Sequence, residues 1–381
     1  MNKVIYLDYN ATTPLHPAVL EAMKPAFFQH YGNPSSRAHA FGWAAAELVD
    51  EARTRIAELL GASPEELIFT ANATEANNLA IKGLAENSRK KHLVITAIEH
   101  PSVLETAEAL GRRGFAVTKV GVKPGGVVDP EDVARAITDN TFLVSVMLVN
   151  NEVGTIQPVA EIARLSRERG VPIHCDATQA IGKIPVNVQD LGVDFLSLSA
   201  HKFYGPKGVG LLYRRRRRPP LPIAPLFHGG GQEEGLRSGT LNVPGIVGMA
   251  AAFALAADTL PEEMARQGAL RDSLRQKLFH CFPELKENGD PKRRVANTLN
   301  VSFPGVDGGA LLASLPRLAV SPASACATAK PKPSPVLLAL GRSPAEANSA
   351  LRFSLGRPTT AEEVEQAAAM VGEALAKLRR R

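Results

Sequence analysis

Lys202 is the residue whose surroundings in the sequence most suggest chemistry. It lies in Ser199-Ala200-His201-Lys202-Phe203-Tyr204-Gly205-Pro206-Lys207-Gly208, between the apolar runs Val193 to Leu198 and Val209 to Tyr213. Both runs read as buried strands, so the lysine stands where a core strand opens into a Gly/Pro turn. A lysine held against apolar core has reason to lose its proton, because desolvation disfavours the ammonium. A neutral amine so placed can form a Schiff base with an aldehyde. The plainer alternative is a strand-end lysine whose stem lies on the core while its head reaches solvent.

Other strand ends carry the groups that such chemistry needs. Asp176 directly follows the apolar run Val171 to Cys175. A carboxylate there can hold the ring nitrogen of a pyridine cofactor protonated, which makes the ring an electron sink; helix N-capping is its plainer role. Gln179, one helical step on, can hydrogen-bond a ring hydroxyl. His100 follows Leu93 to Ile98, where an imidazole can stack on a flat ring, or simply open the helix ahead of Pro101. Ala73 and Thr74 sit at a helix N-terminus, where free backbone N–H groups attract phosphate; with Ser199 and His201 they make a phosphate cup. Asn151, after the run Phe142 to Val149, belongs to the same end of the sheet. Each signal is weak alone. Together, a lysine, an aspartate, a stacking histidine and phosphate donors at strand ends describe a pyridoxal 5'-phosphate pocket.

The elements that must position these groups alternate regularly. Apolar runs at Leu67 to Thr70, Leu93 to Ile98, Phe115 to Val120, Phe142 to Val149 and Val171 to Cys175 read as strands. Helical spacing fills the segments between them, with starts marked at Pro17, Asn72, Pro101 and Asp129-Pro130 and a stop at Gly61. This pattern predicts an α/β fold, a large mostly parallel sheet with helices on both faces, whose ligand sits beyond the carboxyl ends of the strands. After Arg214 the pattern changes. Arg214 to Arg218 reads as a solvated basic loop, and two long helices, Asn242 to Asp258 and Pro261 to Cys281, follow. A boundary near Leu260 divides a large domain, 1–260 with a short N-terminal arm 1–16, from a smaller α+β domain, 261–381. The smaller part contains strands at Thr298 to Phe303 and Leu351 to Ser354 and ends in the amphipathic helix Ala361 to Leu378.

A chain of 381 residues with 45% hydrophobic and 22% charged residues has the composition of an ordinary globular protein. Its formal charge of +6, without interleaved aromatic residues, gives no footprint for nucleic acid. Three widely spaced cysteines, Cys175, Cys281 and Cys326, exclude a disulfide framework and argue against a structural zinc site. The start MNKVIYLDYNATTP lacks a signal-peptide core and no membrane-spanning run appears, so the expected location is the cytoplasm.

Nine motifs then fall in a familiar order: LDYNATTP (7–14), TANATEANN (70–78), EHPSV (99–103), VNNEVGTIQP (149–158), HCDATQAIGK (174–183), SAHKFYGPKG (199–208), GGGQEEGLRSGTLN (229–242), SAC (324–326) and LRFSLGR (351–357). On these the chain resembles the cysteine desulfurases of the class V aminotransferase family, in the branch associated with iron–sulfur cluster assembly and nitrogenase. The resemblance implies a fold type I, pyridoxal-phosphate-dependent homodimer that converts L-cysteine to L-alanine and hands the sulfur to an acceptor protein. It implies Lys202 as the Schiff-base lysine and proton acceptor, Asp176 on the ring nitrogen, Gln179 on the ring hydroxyl and His100 on the ring face. Ala73, Thr74, Ser199 and His201 would bind phosphate, with Thr240 reaching it from the neighbouring subunit. Asn151, beside the cofactor, and Arg352 would hold the substrate carboxylate.

The resemblance also implies Cys326 as the nucleophile that becomes a persulfide. Residues 319–330 are small-residue loop sequence, and Lys330 and Lys332 nearby favour a thiolate. Cys175 and Cys281 read instead as buried small hydrophobes. Pro322-Ala323 stands where a Ser-Gly pair is usual in the family, which implies a stiffer approach to Cys326. Two other readings keep much of this pocket: a selenocysteine lyase or other β-eliminating enzyme, which does not need Cys326, and an inactive docking scaffold, which does not need Lys202.

Overall fold

The computed structural model describes residues 4–322 and 333–379. In chain order the first half forms β1 (Ile5–Tyr6), α1 (Pro17–Phe28), α2 (Ala40–Leu60), β2 (Leu67–Thr70), α3 (Ala73–Asn87), β3 (His92–Thr96), α4 (Pro101–Arg112), β4 (Ala116–Val120), α5 (Pro130–Ala136), β5 (Thr141–Ser145), α6 (Val159–Glu168), β6 (Ile173–Asp176), α7 (Val188–Leu191), β7 (Phe195–Ser199) and β8 (Gly210–Arg214). There follow α8 (Val243–Asp258), α9 (Leu260–Cys281), β9 (Lys286–Asn288), β10 (Thr298–Ser302), α10 (Gly308–Ala313), β11 (Leu318–Ala319), β12 (Ser321–Pro322), α11 (Pro335–Ala339), α12 (Pro344–Asn348), β13 (Ala350–Ser354) and α13 (Ala361–Arg379).

Helix boundaries follow the expected local chemistry. The side chain of Asn72 accepts from Glu75 N at 2.9 Å and starts α3. His100 caps α4 with Pro101 at its first position. Gly61, at φ 68°, ends α2 in the left-handed conformation that glycine adopts without cost.

Seven strands form one sheet in the order β2-β8-β7-β6-β5-β3-β4. Only β8 runs against its neighbours; β7-β6-β5-β3-β4 are parallel pairs. Its inner strands are buried on both faces, which is why they read as continuous apolar runs. Val94, Leu196 and Leu211 join a core with α1, α2, α6 and α8. Their neighbours Leu93, Phe195 and Leu212 join the opposite core with α3 and α4. Each fully buried Leu or Ile adds roughly 1.5–3 kcal/mol to folding, so the strand ends, and the loops they carry, are firmly held.

A second, four-stranded sheet, β12-β13-β10-β9, is antiparallel. It shares a core with α9 and α13 through Leu274, Phe282, Leu299, Phe353 and Val371. The N-terminal segment joins the two regions: β1 pairs in parallel with β11, and Asp8 bridges to Ser354 of β13. Among the described residues no single helix is long and apolar enough to cross a bilayer.

Two expectations need correction. Cys175 is buried, but Cys281 is exposed, because Leu278 and Phe282 take the core side at the end of α9 and leave it on the other. The basic run is not simply solvated either. Arg215 donates to Val193 O at 2.9 Å and to Val188 O at 3.0 Å, and Arg217 pairs with the buried carboxylate of Asp194. These arginines add hydrogen bonds to carbonyls and a buried carboxylate beside the start of β7.

Candidate active site

Because β2, β3, β5, β6 and β7 point the same way, their carboxyl ends open on one cavity of about 290 Å³. The start of α3 after β2 contributes Ala73 and Thr74, and the loop after β3 contributes His100. Asn151 comes from beyond β5, Asp176 and Gln179 from the end of β6, and Ser199, His201 and Lys202 from the end of β7. Arg352 reaches the same cavity from β13 of the second sheet. Thr240 does not line this cavity and is exposed. Cys326, with Lys330 and Lys332, lies outside the described residues.

Lys202 Nζ donates to Asn10 O at 2.7 Å and Ala11 O at 2.8 Å. Burial lowers its pKa to about 8 and the Arg352 charge pushes the same way, while Asp176 and Asp8 oppose. A substantial neutral fraction therefore exists near physiological pH, as its place at the end of a core strand suggested.

Asp176 is 4% exposed. Its Oδ1 accepts from Thr178 N at 3.0 Å and its Oδ2 from Asn77 Nδ2 at 2.8 Å. The second N–H of Asn77 goes to Ser102 Oγ at 2.8 Å, and Ser102 Oγ lies 2.8 Å from His100 Nδ1. His100 Nδ1 also accepts from Ser102 N at 3.1 Å. The pKa of His100 is lowered by burial, so its neutral ring carries the proton on Nε2. One asparagine on α3 thus ties the acid to the imidazole. His201 is neutral too: burial lowers its pKa to about 4, with Lys202 and Lys207 adding to the effect.

The opposite wall is built differently. Arg352 Nη2 donates to Asp8 Oδ1 at 2.7 Å and to Ser321 Oγ at 3.1 Å, and Nη1 donates to Asn151 O at 3.0 Å. Its Nε is buried without a partner. These contacts use three of the five guanidinium N–H bonds, and the residue's place in the cavity lining suits it to an incoming carboxylate. Nearby, burial raises Glu152 to about 7, although the Ser334 hydroxyl donates to it and Arg352 attracts it.

Sequence reasoning missed Asn10, Asn77, Ser102 and Lys183. Asn77 carried a legible signal: a polar side chain among Ala76, Leu79, Ala80 and Ile81 on the buried side of α3. Asn10 and Asp8 lie in the N-terminal arm; they form the seam between the two sheets, and Thr13 continues it by accepting from Tyr204 N at 2.8 Å.

A model of the class-V aminotransferases matches residues 5–367. The chain belongs to the class-V aminotransferase family. This class-V chain is 50% identical over 377 residues to a protein named cysteine desulfurase IscS from Anaeromyxobacter dehalogenans (strain 2CP-C), covering 98% of this chain and 93% of that one. It is 47% identical to the cysteine desulfurase IscS of Dechloromonas aromatica (strain RCB), covering 100% and 94%. Among solved structures it resembles one titled NifS-like protein, with a TM-score of 0.92, 42% identity and coverage of 98% and 100%. Another, titled SspA in complex with cysteine, has a TM-score of 0.82 and 41% identity, covering 92% of this chain and 98% of that one.

Class-V enzymes share fold type I and depend on pyridoxal phosphate, and the residues present fit that group. Ala73 and Thr74 lie in the first turn of α3, where N–H groups have no intrahelical acceptor. Gly210 keeps that helix start close to β8, since a Cβ there would lie 2.7 Å from Asn72 Cα. At the other end, each oxygen of Asp176 has accepted one hydrogen bond and retains capacity for another. Thr178 Oγ1, beside it in the cavity lining, is buried without a partner.

Proposed function

We infer that this class-V chain is a pyridoxal-phosphate-dependent cysteine desulfurase, converting L-cysteine to L-alanine with transfer of the sulfur. The observation that carries the reading is the convergence of Lys202, Asp176 and Arg352 on one cavity, in a chain half identical to relatives with that activity in their names.

Ala73, Thr74, Ser199 and His201 would hold the cofactor's phosphate, Asp176 its ring nitrogen, Gln179 its ring oxygen, His100 its ring face and Lys202 its aldehyde carbon, with Asn151 alongside. When bound, pyridoxal phosphate supplies an electron sink that acidifies the substrate's Cα–H and weakens its Cβ–S bond. Arg352 and Asn151, which both line the cavity, hold the substrate carboxylate. Lys202 Nζ, neutral above about pH 8, takes the Cα proton. Cys326 Sγ attacks the substrate sulfur as a thiolate. The Cβ–S electron pair stays with carbon, which takes a proton, and the products are alanine and a persulfide on Cys326. A second thiol, on an acceptor protein serving iron–sulfur cluster, thio-cofactor or tRNA-thiolation chemistry, then receives the sulfur.

The reading includes a homodimer in which Thr240 serves the neighbour's phosphate. Exposed aromatic residues support it: Phe27 packs on Phe28 and Tyr31 on Phe41, and with Trp43 all lie exposed on α1, α2 and the turn between them, Phe28 at 76% and Trp43 at 58%. Large apolar side chains left exposed in this number suit a protein contact. Residues 1–260 would hold the cofactor and 261–381 present Cys326. A cytoplasmic location suits the free thiols of Cys175 and Cys281.

The test is purified protein with L-cysteine, with and without a small thiol reductant, measuring alanine, sulfide and the mass of the Cys326 peptide. Reductant should raise turnover by stripping the persulfide. Cys326→Ser should bind pyridoxal phosphate normally yet lose alanine formation, since a serine hydroxyl is barely ionised at neutral pH. Release of pyruvate and ammonia in its place would mark a β-eliminating lyase, and undiminished alanine in the variant would remove Cys326 from the mechanism.

A further inference from the structure

Lys183 takes part in none of the steps above, although its amine is enclosed close to the pocket. It does not line the large cavity, but meets Lys202 in a smaller one behind it. Its Nζ donates to Asn10 Oδ1 at 2.9 Å and to Gln179 Oε1. Gln179 Nε2 in turn donates to Asn10 O at 2.8 Å, the carbonyl that also accepts from Lys202 Nζ.

These contacts decide which way the Gln179 amide faces, a choice the two ends of an amide do not make by themselves. A backbone carbonyl only accepts, so Nε2 must face Asn10 O; Lys183 supplies an N–H, so Oε1 faces it. Burial, then the charges of Lys202 and Arg352, lower the Lys183 pKa well below its ordinary value. A neutral amine still carries two N–H bonds, one for each of its two acceptors. Gln179 has therefore committed its oxygen and one N–H, and retains a second N–H to offer a ligand in the cavity it lines. The charges acting on Lys183 are those of Lys202 from the end of β7 and Arg352 from β13, while Asp176 from β6 and Asp8 from the N-terminal seam act on Lys202.

We propose that Lys183 is a positioning residue: it fixes Gln179 as a hydrogen-bond donor to the ring oxygen of pyridoxal phosphate and so favours that oxygen's ionised form. This rests on the cofactor assignment made above. A donor beside a titrating group favours the form with fewer protons, so removing it must move the titration of the bound cofactor upward.

The experiment is a pH titration of the visible absorbance of the holoenzyme, without substrate. Lys183→Met should raise the midpoint by about one pH unit, the scale of one lost hydrogen bond to a charged group. Gln179→Leu should raise it equally, and the double variant no further, because both remove one shared interaction. Should Lys183→Met fail to fold, Gln179→Glu serves in its place. That variant keeps the Lys183 contact as an ion pair but offers the cavity no N–H, and it should raise the midpoint at least as far. An unshifted midpoint in a folded variant, or shifts that add in the double variant, overturns the inference alone. A wild-type protein without a visible band sinks the cofactor assignment and this inference with it.

Discussion

The two walls of the cavity hold their charge in different ways. On the wall formed by the large sheet, Asp176, Asn77, Ser102 and His100 are linked by hydrogen bonds of 2.8 Å and anchored in strands and helices with buried cores on both faces. On the wall formed by the second sheet, Arg352 donates to Asp8, Ser321 and the Asn151 carbonyl, which uses three of its five N–H bonds. The first wall is preorganised for a group that stays; the second keeps capacity for one that comes and goes. Preorganised polar groups cost no rearrangement when a ligand binds, whereas a partly engaged arginine trades one carboxylate for another.

The most damaging way to break this arrangement is at Lys202, the one amine shared by both walls. Lys202→Ala should abolish borohydride-fixed pyridoxyl label and lower alanine formation by roughly 10³-fold or more, the upper range for a lost general base. Label retained on Lys207 would contradict the assignment. Next in size is the exchanging wall. Arg352→Lys should raise KM for L-cysteine about 10- to 100-fold, because an ammonium does not reproduce the guanidinium fork, while cofactor content stays constant. An unaltered KM would show that another residue reads the carboxylate.

The preorganised wall should give the opposite pattern. Asn77→Leu removes both donors linking Asp176 to Ser102, at about 1–3 kcal/mol for a hydrogen bond to a charged group. Pyridoxal phosphate affinity, measured by fluorescence titration of the apo protein, should fall about 10-fold, with KM for L-cysteine little changed. A change in KM alone would erase the distinction between the walls.

An effect on stability rather than on binding lies behind the first wall, at Glu99. Its Oε1 accepts from Thr96 Oγ1 at 2.6 Å and Met147 N at 2.9 Å, yet burial raises its pKa to about 8. A folded state that binds the proton more tightly loses stability as pH rises from the unfolded value, about 4.5, toward 8. Glu99→Gln cannot ionise, so its stability relative to wild type should climb across that window, by up to about 1.4 kcal/mol per pH unit, and level off above it. A pH-independent difference in denaturation midpoint would mean that Glu99 is ionised in the fold.

Much of the preorganised wall was legible in the sequence. Lys202, Asp176, His100 and the Ala73-Thr74 helix start each follow an apolar run, and strand ends in a parallel sheet meet at one edge whatever their distance along the chain. Asn77 was harder, because its partner Asp176 is 99 residues away and polar residues within helices are common. Asp8 and Asn10 were assigned only to an N-terminal arm, since nothing local distinguishes a polar segment in water from one wedged between two sheets. Cys281 was placed wrongly for a related reason: a cysteine carries no signal of its own for which side of a helix it takes, and here its neighbours Leu278 and Phe282 occupy the buried side.

What the sequence determined by itself was the alternation of strands and helices, the family, and the set of chemical groups brought to one end of the sheet. These follow from residue order, because hydrophobic period and capping act over a few residues. Only the tertiary structure decided that Arg352 is held by Asp8, 344 positions away, that Lys202 rests on Asn10 and Ala11 carbonyls, and that Lys183 and Asn10 fix the direction of the Gln179 amide. Burial and the meeting of the two sheets create those partnerships, and both belong to the packed chain as a whole.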